Sequence, residues 1–143
     1  MKAFIETSKG SYIRTRYDEK TFRFKESFEI KYKYPFDYGF IIGTNNTNKD
    51  CIDCYILSHN RIKEGRIVEC DPEFLIEMYE DGEIDHKVIM KTKEYKVEDI
   101  NEIANTIKTF ILNVFAQFPE VEICFGEIKN KAETECFIEG NMD

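Results

Sequence analysis

The sequence has no tryptophan, three prolines and two histidines, and no stretch approaches the ~20 apolar residues that cross a bilayer. No membrane-spanning helix is expected, and the opening Met1-Lys2-Ala3-Phe4-Ile5-Glu6 lacks a signal-peptide core. Basic residues are outnumbered, 20 against 28 acidic, for a net charge of −8. That balance argues against a nucleic-acid backbone or a membrane surface as a general partner. Five cysteines, odd in number and scattered, make no disulfide framework, so reduced thiols and a cytoplasmic location are expected. His59 and His86 stand alone, and no Ser-His-Asp arrangement, phosphate-binding glycine loop or dinucleotide motif occurs. What remains is an ordinary globular balance: 143 residues, 42% apolar, with twelve Phe and eight Tyr. It predicts one domain, residues 1–143, with its own core and many strands.

Taken in order, residues 3–6 and 12–17 read as strands, with polar turns at 7–10 and 18–20. Phe22, Phe24, Phe28, Ile30, Tyr32 and Tyr34 fall on alternate positions, which predicts strands with one buried face. Glu26 interrupts that series. It marks either a bend or bulge at Glu26-Ser27 or an inward face that borders a polar cavity. Residues 54–57, 66–70, 74–78 and 87–90 predict further strands, with Asp71-Pro72 closing the second of them. Asp99 is a good N-cap with Glu102 three residues on. The stripe from Ile100 through Ile103, Ile107, Phe110, Ile111, Val114 and Phe115 to Phe118 predicts one long helix, ended by Pro119. Residues 121–125 predict a last strand and 129–138 a short terminal helix. The class is α+β, mainly β: a small barrel with one long helix packed on it.

The densest chemistry lies in residues 34–53, where Pro35 and Gly39 are expected to set the turns and Asp50 and Asp53 precede an apolar strand. Carboxylates at the mouth of a buried strand are costly without a cation. Glu6 and the run Glu80-Asp81-Gly82-Glu83-Ile84-Asp85 supply more acids. An oxygen-only donor set selects Mg²⁺, Mn²⁺ or Ca²⁺, although most acid clusters on loops are solvated turns. The spacing is not that of an EF-hand. Cys51-x-x-Cys54 with His59 suggests zinc or redox chemistry, but no second cysteine pair completes a finger, and buried or bystander thiols are the plainer reading.

These residues also carry a resemblance. Tyr34-Pro35-Phe36-Asp37-Tyr38-Gly39-Phe40-Ile41, then Gly43-Thr44, then Lys49-Asp50-Cys51-Ile52-Asp53-Cys54 resembles the signature Y-P-x-N-Y-G-F-I-P-x-T followed by D-x-D-P-x-D-V of the soluble inorganic pyrophosphatases. Met78 to Lys87 resembles that family's M-x-D-E-x-x-x-D-x-K. The resemblance implies an OB-like five-stranded β-barrel with the long helix packed on it and a short C-terminal helix. It implies Mg²⁺-dependent hydrolysis of pyrophosphate, or of a related small-molecule phosphoanhydride, with Mn²⁺ as a substitute cation and a homo-oligomeric assembly. By resemblance, Asp53, Asp85, Glu80 and Asp81 are metal ligands, Glu6 is an outer acid, and Asn48 occupies a further ligand position. Asp50 takes the proton of the attacking water and Tyr38 is the phenol beside it. Lys87, Arg14 and Tyr34 face the substrate.

Departures from the pattern fall on the phosphate side. Asn48 is neutral where an Asp belongs, Glu26 stands where an Arg is expected, and Val114 and Phe115 replace a Tyr-Lys pair. Cys51 replaces a proline, and Lys25 reaches the arginine position only through a slip of register. Losing one preorganised donor costs roughly 2.7–4 kcal/mol in a transition state. Three such losses reach about 8–12 kcal/mol if additive. The expectation is therefore an impaired hydrolase whose compensation would come from Lys129 or Lys131. The alternative is a weak or inactive binding or regulatory protein on the same barrel.

Overall fold

Three runs of apolar residues, in the segments after Asp53, around Leu75 and after Lys87, send alternate side chains to two separate cores. That pattern requires one sheet covered on both faces. The computed structural model describes residues 1–46 and 49–143. Its strands are β1 (Lys2–Thr7), β2 (Ile13–Tyr17), β3 (Phe24–Glu29), β4 (Asp37–Ile41), β5 (Asp53–Leu57), β6 (Ile67–Glu69), β7 (Asp71–Glu80), β8 (Glu83–Ile84), β9 (Lys87–Lys91) and β10 (Ile123–Lys129). The helices are α1 (Ile100–Phe115) and α2 (Lys131–Glu139). Hydrogen-bonded order in the main sheet is β10-β7-β9-β5-β4-β1-β6, with β8 on β7. The fold is α+β, mainly β, and among the described residues these pairings run as an open path.

Tyr55 and Leu57, Phe74, Ile76, Met78 and Ile89 meet the apolar stripe of α1 through Ala104, Ile107, Phe110 and Ile111. Cys54, Ile56, Leu75, Val88 and Met90 point the other way, where Ala3, Ile5, Ile41 and Ile138 of α2 close the second core. The Asp99 side chain accepts from the Glu102 N–H and starts α1 as its sequence predicts. α1 ends at its C-cap Ala116, short of Pro119. Asn130 and Glu133 form a reciprocal capping box on α2.

Three expectations are corrected. Asp71 and Pro72 do not close a strand; they open β7, which continues to Glu80. Gly39 turns nothing. It sits inside β4, where an added Cβ would lie 1.7 Å from the Phe4 carbonyl oxygen of the neighbouring β1. The alternating aromatics from Phe22 to Tyr34 do not share a buried face either. Phe24 is 61% exposed and Phe28 43% exposed, while Ile30 and Tyr34 are buried. Among the described residues β3 pairs only with β2, in a two-stranded ribbon outside the main sheet, and every residue of β3 is exposed. Lys31, at φ 69°, then breaks the alternation.

Candidate active site

Strand register creates the polar centre. β5 and β9 run parallel with Cys54 opposite Val88, so Asp53 and Lys87, one residue earlier in each, arrive side by side. Lys87 Nζ lies 2.6 Å from Asp53 Oδ2 and 3.2 Å from Asp85 Oδ2. It also donates to the Tyr38 hydroxyl at 3.4 Å. Tyr38, on β4 opposite Tyr55, receives a second cation: the Arg14 guanidinium lies 5.7 Å from its ring centre and Lys87 Nζ 5.8 Å. Aromatic contacts continue outward, from Tyr38 to Tyr34 at 5.6 Å and from Tyr34 to Phe110 of α1 at 4.8 Å.

These groups line one cavity of about 630 Å³. Of the residues singled out in the sequence, Glu6, Asp50, Asp53, Glu80 and Asp85 reach it, as do Arg14, Tyr34, Tyr38 and Lys87. Asp81 does not. It sits at φ 51° in the β7–β8 hairpin turn, and its carboxylate accepts the Glu122 N–H at 2.9 Å. Asn48 lies outside the described residues. Asp37, the other acid of residues 34–53, is buried elsewhere and accepts from Lys9 N–H, Ile62 N–H and the Ser58 hydroxyl. Cys51 lines the cavity whereas Cys54 belongs to the second core, so the Cys-x-x-Cys pair does not share one site. His86 is a core residue whose Nδ1 accepts the Met78 N–H at 3.0 Å.

The electrostatics show carboxylates crowded against one another. Burial pushes Glu6 up to about 7, against the bond it accepts from the Tyr17 N–H at 2.9 Å and with help from the Asp53 charge. Burial likewise pushes Asp85 up to about 6, with Lys87 opposing and Asp53 reinforcing. Asp53 behaves differently: burial disfavours its charge, but Lys87 and Arg14 outweigh that and hold its carboxyl below the usual range. Burial also works against the Lys87 ammonium, yet Asp53 foremost keeps it charged well above the ordinary lysine value. Tyr38 stays a neutral phenol because burial raises its pKa well above normal.

The ribbon contributes residues that sequence reasoning missed. Arg16 pairs with Glu26 and Tyr17 with Phe24, so Lys25 is an extra, bulged residue, and it lines the cavity. The bulge lies one residue before the predicted break. Glu26 instead forms a half-exposed ion pair with Arg16 at 3.1 Å. Arg16, Lys20 and Lys49 also line the cavity. Lys129 does not; Glu127 holds it at 2.9 Å and Glu133 at 3.6 Å, and Lys131 is equally absent from the lining. Glu19, read in the sequence as part of a plain turn, accepts the Cys51 N–H at 2.9 Å. Burial raises its pKa, the Cys51 bond opposes, and the Asp50 and Asp53 charges add to the rise. Its only sequence signal was an acid two residues past a strand carrying Arg14 and Arg16.

The donor chemistry suits a hard divalent cation. Glu6, Glu19, Asp50, Asp53, Glu80 and Asp85 offer oxygen alone, and their mutual repulsion is relieved by either a proton or a cation. Among the described residues no three of these acids are close enough to form a ready-made metal cluster. Mg²⁺ tolerates that arrangement, because it keeps several waters and takes one or two carboxylates plus substrate phosphates.

Comparison with known proteins points the same way. The family model described as inorganic pyrophosphatase matches residues 3–143. An inorganic pyrophosphatase of Nanoarchaeum equitans is 26% identical over 146 aligned positions, covering 95% of this chain and 91% of that one. One from Sulfolobus acidocaldarius is 25% identical over 130, covering 85% and 75%. The structure of an inorganic pyrophosphatase from Thermus thermophilus superposes with a TM-score of 0.89 at 22% identity, covering 99% of this chain and 88% of that one. One from Helicobacter pylori gives 0.87 at 22%, covering 99% and 90%. These neighbours share the OB-like architecture. With a match from the third residue to the last and carboxylates and cations gathered in one cavity, the chain belongs to the soluble inorganic pyrophosphatase family.

Proposed function

We infer that this chain hydrolyses inorganic pyrophosphate to two phosphates, with Mg²⁺ as the cofactor and Mn²⁺ as a substitute. The observation that carries the reading is the Lys87 ammonium bridging Asp53 and Asp85 beside Tyr38, in a cavity that also gathers Arg14, Arg16, Lys20, Lys25 and Lys49. Asp53 and Asp85 would hold the cation, with Glu80, Glu6 and Glu19 as supporting acids. A bound divalent ion supplies Lewis acidity to the phosphoryl oxygens and acidifies water.

The chain's own residues do the rest. With a cation held by Asp53 and Asp85, the Lys87 ammonium that now bridges them would be free to bind phosphate oxygen. Arg14, its guanidinium over the Tyr38 ring, takes a second oxygen. Tyr38 donates its hydroxyl hydrogen bond toward the attacking water, and Asp50 accepts that water's proton. Four further cationic side chains around the cavity, Arg16, Lys20, Lys25 and Lys49, support a rebuilt phosphate clamp despite the losses at Glu26, Val114 and Phe115. Self-association is proposed with this reading, supported by exposed Tyr12, Ile13, Phe24 and Tyr32.

Phosphate release from pyrophosphate under Mg²⁺ tests the assignment. Wild type is expected to exceed an Asp50→Ala variant by roughly a hundredfold or more. Equal, background release from both would leave only the alternative of a binding protein without turnover.

A further inference from the structure

The cavity is larger and more apolar than two phosphoryl groups require. Beside the carboxylates its wall is built from Phe28, Ile30, Phe110, Val114, Phe115 and Phe118. Pyrophosphate offers this wall nothing but oxygen, and an anion against uncompensated apolar surface is destabilised. Phe28 is 43% and Phe118 42% exposed, so part of the wall is hydrophobic surface still in contact with water. Phe115 and Phe118 meet edge to face at 6.4 Å, a geometry that leaves ring surface open to a further ring. The two ends of the cavity are continuous. From the Lys87-bonded Tyr38, rings follow to Tyr34 and then to Phe110 on α1. At about 630 Å³ the space falls in the range of roughly 300–1,000 Å³ that encloses a drug-sized ligand.

We propose that the site accepts an organic diphosphate, its diphosphate at the Asp53–Lys87 end and its apolar organic group on the Phe28–Phe118 wall. This deepens the diphosphatase reading and rests on it. In the reaction, the water oxygen bonds to the terminal phosphorus and the bridging P–O bond breaks. The electron pair leaves on the organic monophosphate. One water proton passes to Asp50, and the other stays on the released phosphate. The organic group is apolar and flat, because the wall presents rings and aliphatic carbon rather than the paired donors and acceptors that a nucleobase edge needs.

The test is calorimetric titration of the full chain in Mg²⁺ with the benzyl and methyl esters of methylenediphosphonate, which cannot be hydrolysed. The benzyl ester is expected to bind at least about tenfold more tightly, the low end of what apolar pockets give per methylene. In Phe118→Ser and Phe28→Ser, both exposed positions, the two affinities are expected to converge within about twofold. Equal affinities in wild type, or a preference that survives both substitutions, overturns the proposal. Phosphate release from benzyl diphosphate and pyrophosphate in the same preparation separates the two readings. Release from pyrophosphate with equal ester affinities overturns the organic-diphosphate proposal alone, and no release with no binding of either ester overturns both.

Discussion

Lys87 is the residue on which the polar centre depends. Its ammonium is buried between Asp53 and Asp85 and against Tyr38. Removing one partner of such a buried pair typically costs about 3–5 kcal/mol, because the other charge is left uncompensated. Lys87→Met is therefore expected to lower the denaturant midpoint by that equivalent without added metal, and Mg²⁺ is expected to restore part of it. The acids make a pH prediction. Glu6, near 7 against an ordinary 4.5, and Asp85, near 6 against 3.8, keep protons in the folded state that the unfolded chain has already released. Their contribution is complete below the unfolded values and is lost as pH rises through about 6 to 7. Asp53, held below its usual range, works in the opposite sense and loses its contribution in acid. Since a cation needs the ionised carboxylates, Mg²⁺ is expected to raise the melting temperature more at about pH 8 than at about pH 5.5. An equal rise at both would contradict the shared cavity. That Asp50, Asp53, Asp85 and Lys87 share one cavity was foreshadowed by their motif spacing. Glu19 was not legible, since an acid in a polar turn carries no sign of what the turn faces.

At the scale of elements, periodicity located strands better than it located their surroundings. Residues 54–57 read correctly as a buried strand and 87–90 correctly as a strand, and both faces of β5 and β9 are covered. β3 carries an alternation broken at Glu26, yet its residues are all exposed, and among the described residues only β2 pairs with it. A sequence states which side chains share a face but not whether another layer arrives to cover it. The bulge at Lys25 was hidden for a similar reason: the register is set by pairing with β2. Gly39 shows the same limit, since its requirement comes from Phe4, far away in the chain. Gly39→Ala is expected to cost at least about 2–3 kcal/mol, because the clash is with backbone rather than a movable side chain. Chemical denaturation measures it, and a loss below about 0.5 kcal/mol would mean that β1 and β4 separate easily. Asp99→Ala removes the cap of α1 and is expected to cost about 1 kcal/mol by the same measurement.

For the whole molecule, a net charge of −8 and an anionic substrate are reconciled by locating the cations. Arg14, Arg16, Lys20, Lys25, Lys49 and Lys87 line the cavity together with the acids that would take metal. The sequence singled out most of the acids that line the cavity and underestimated the cations, because four of those six, Arg14, Arg16, Lys20 and Lys25, come from the β2–β3 ribbon and lie outside both motifs. The central claim is that distant acids fold into one pocket that holds a divalent ion. The most direct measurement is anomalous scattering from crystals soaked in Mn²⁺. A peak between Asp53 and Asp85, with Lys87 moved off both, is the predicted result. No peak there, with the Lys87 bridge intact, would contradict it.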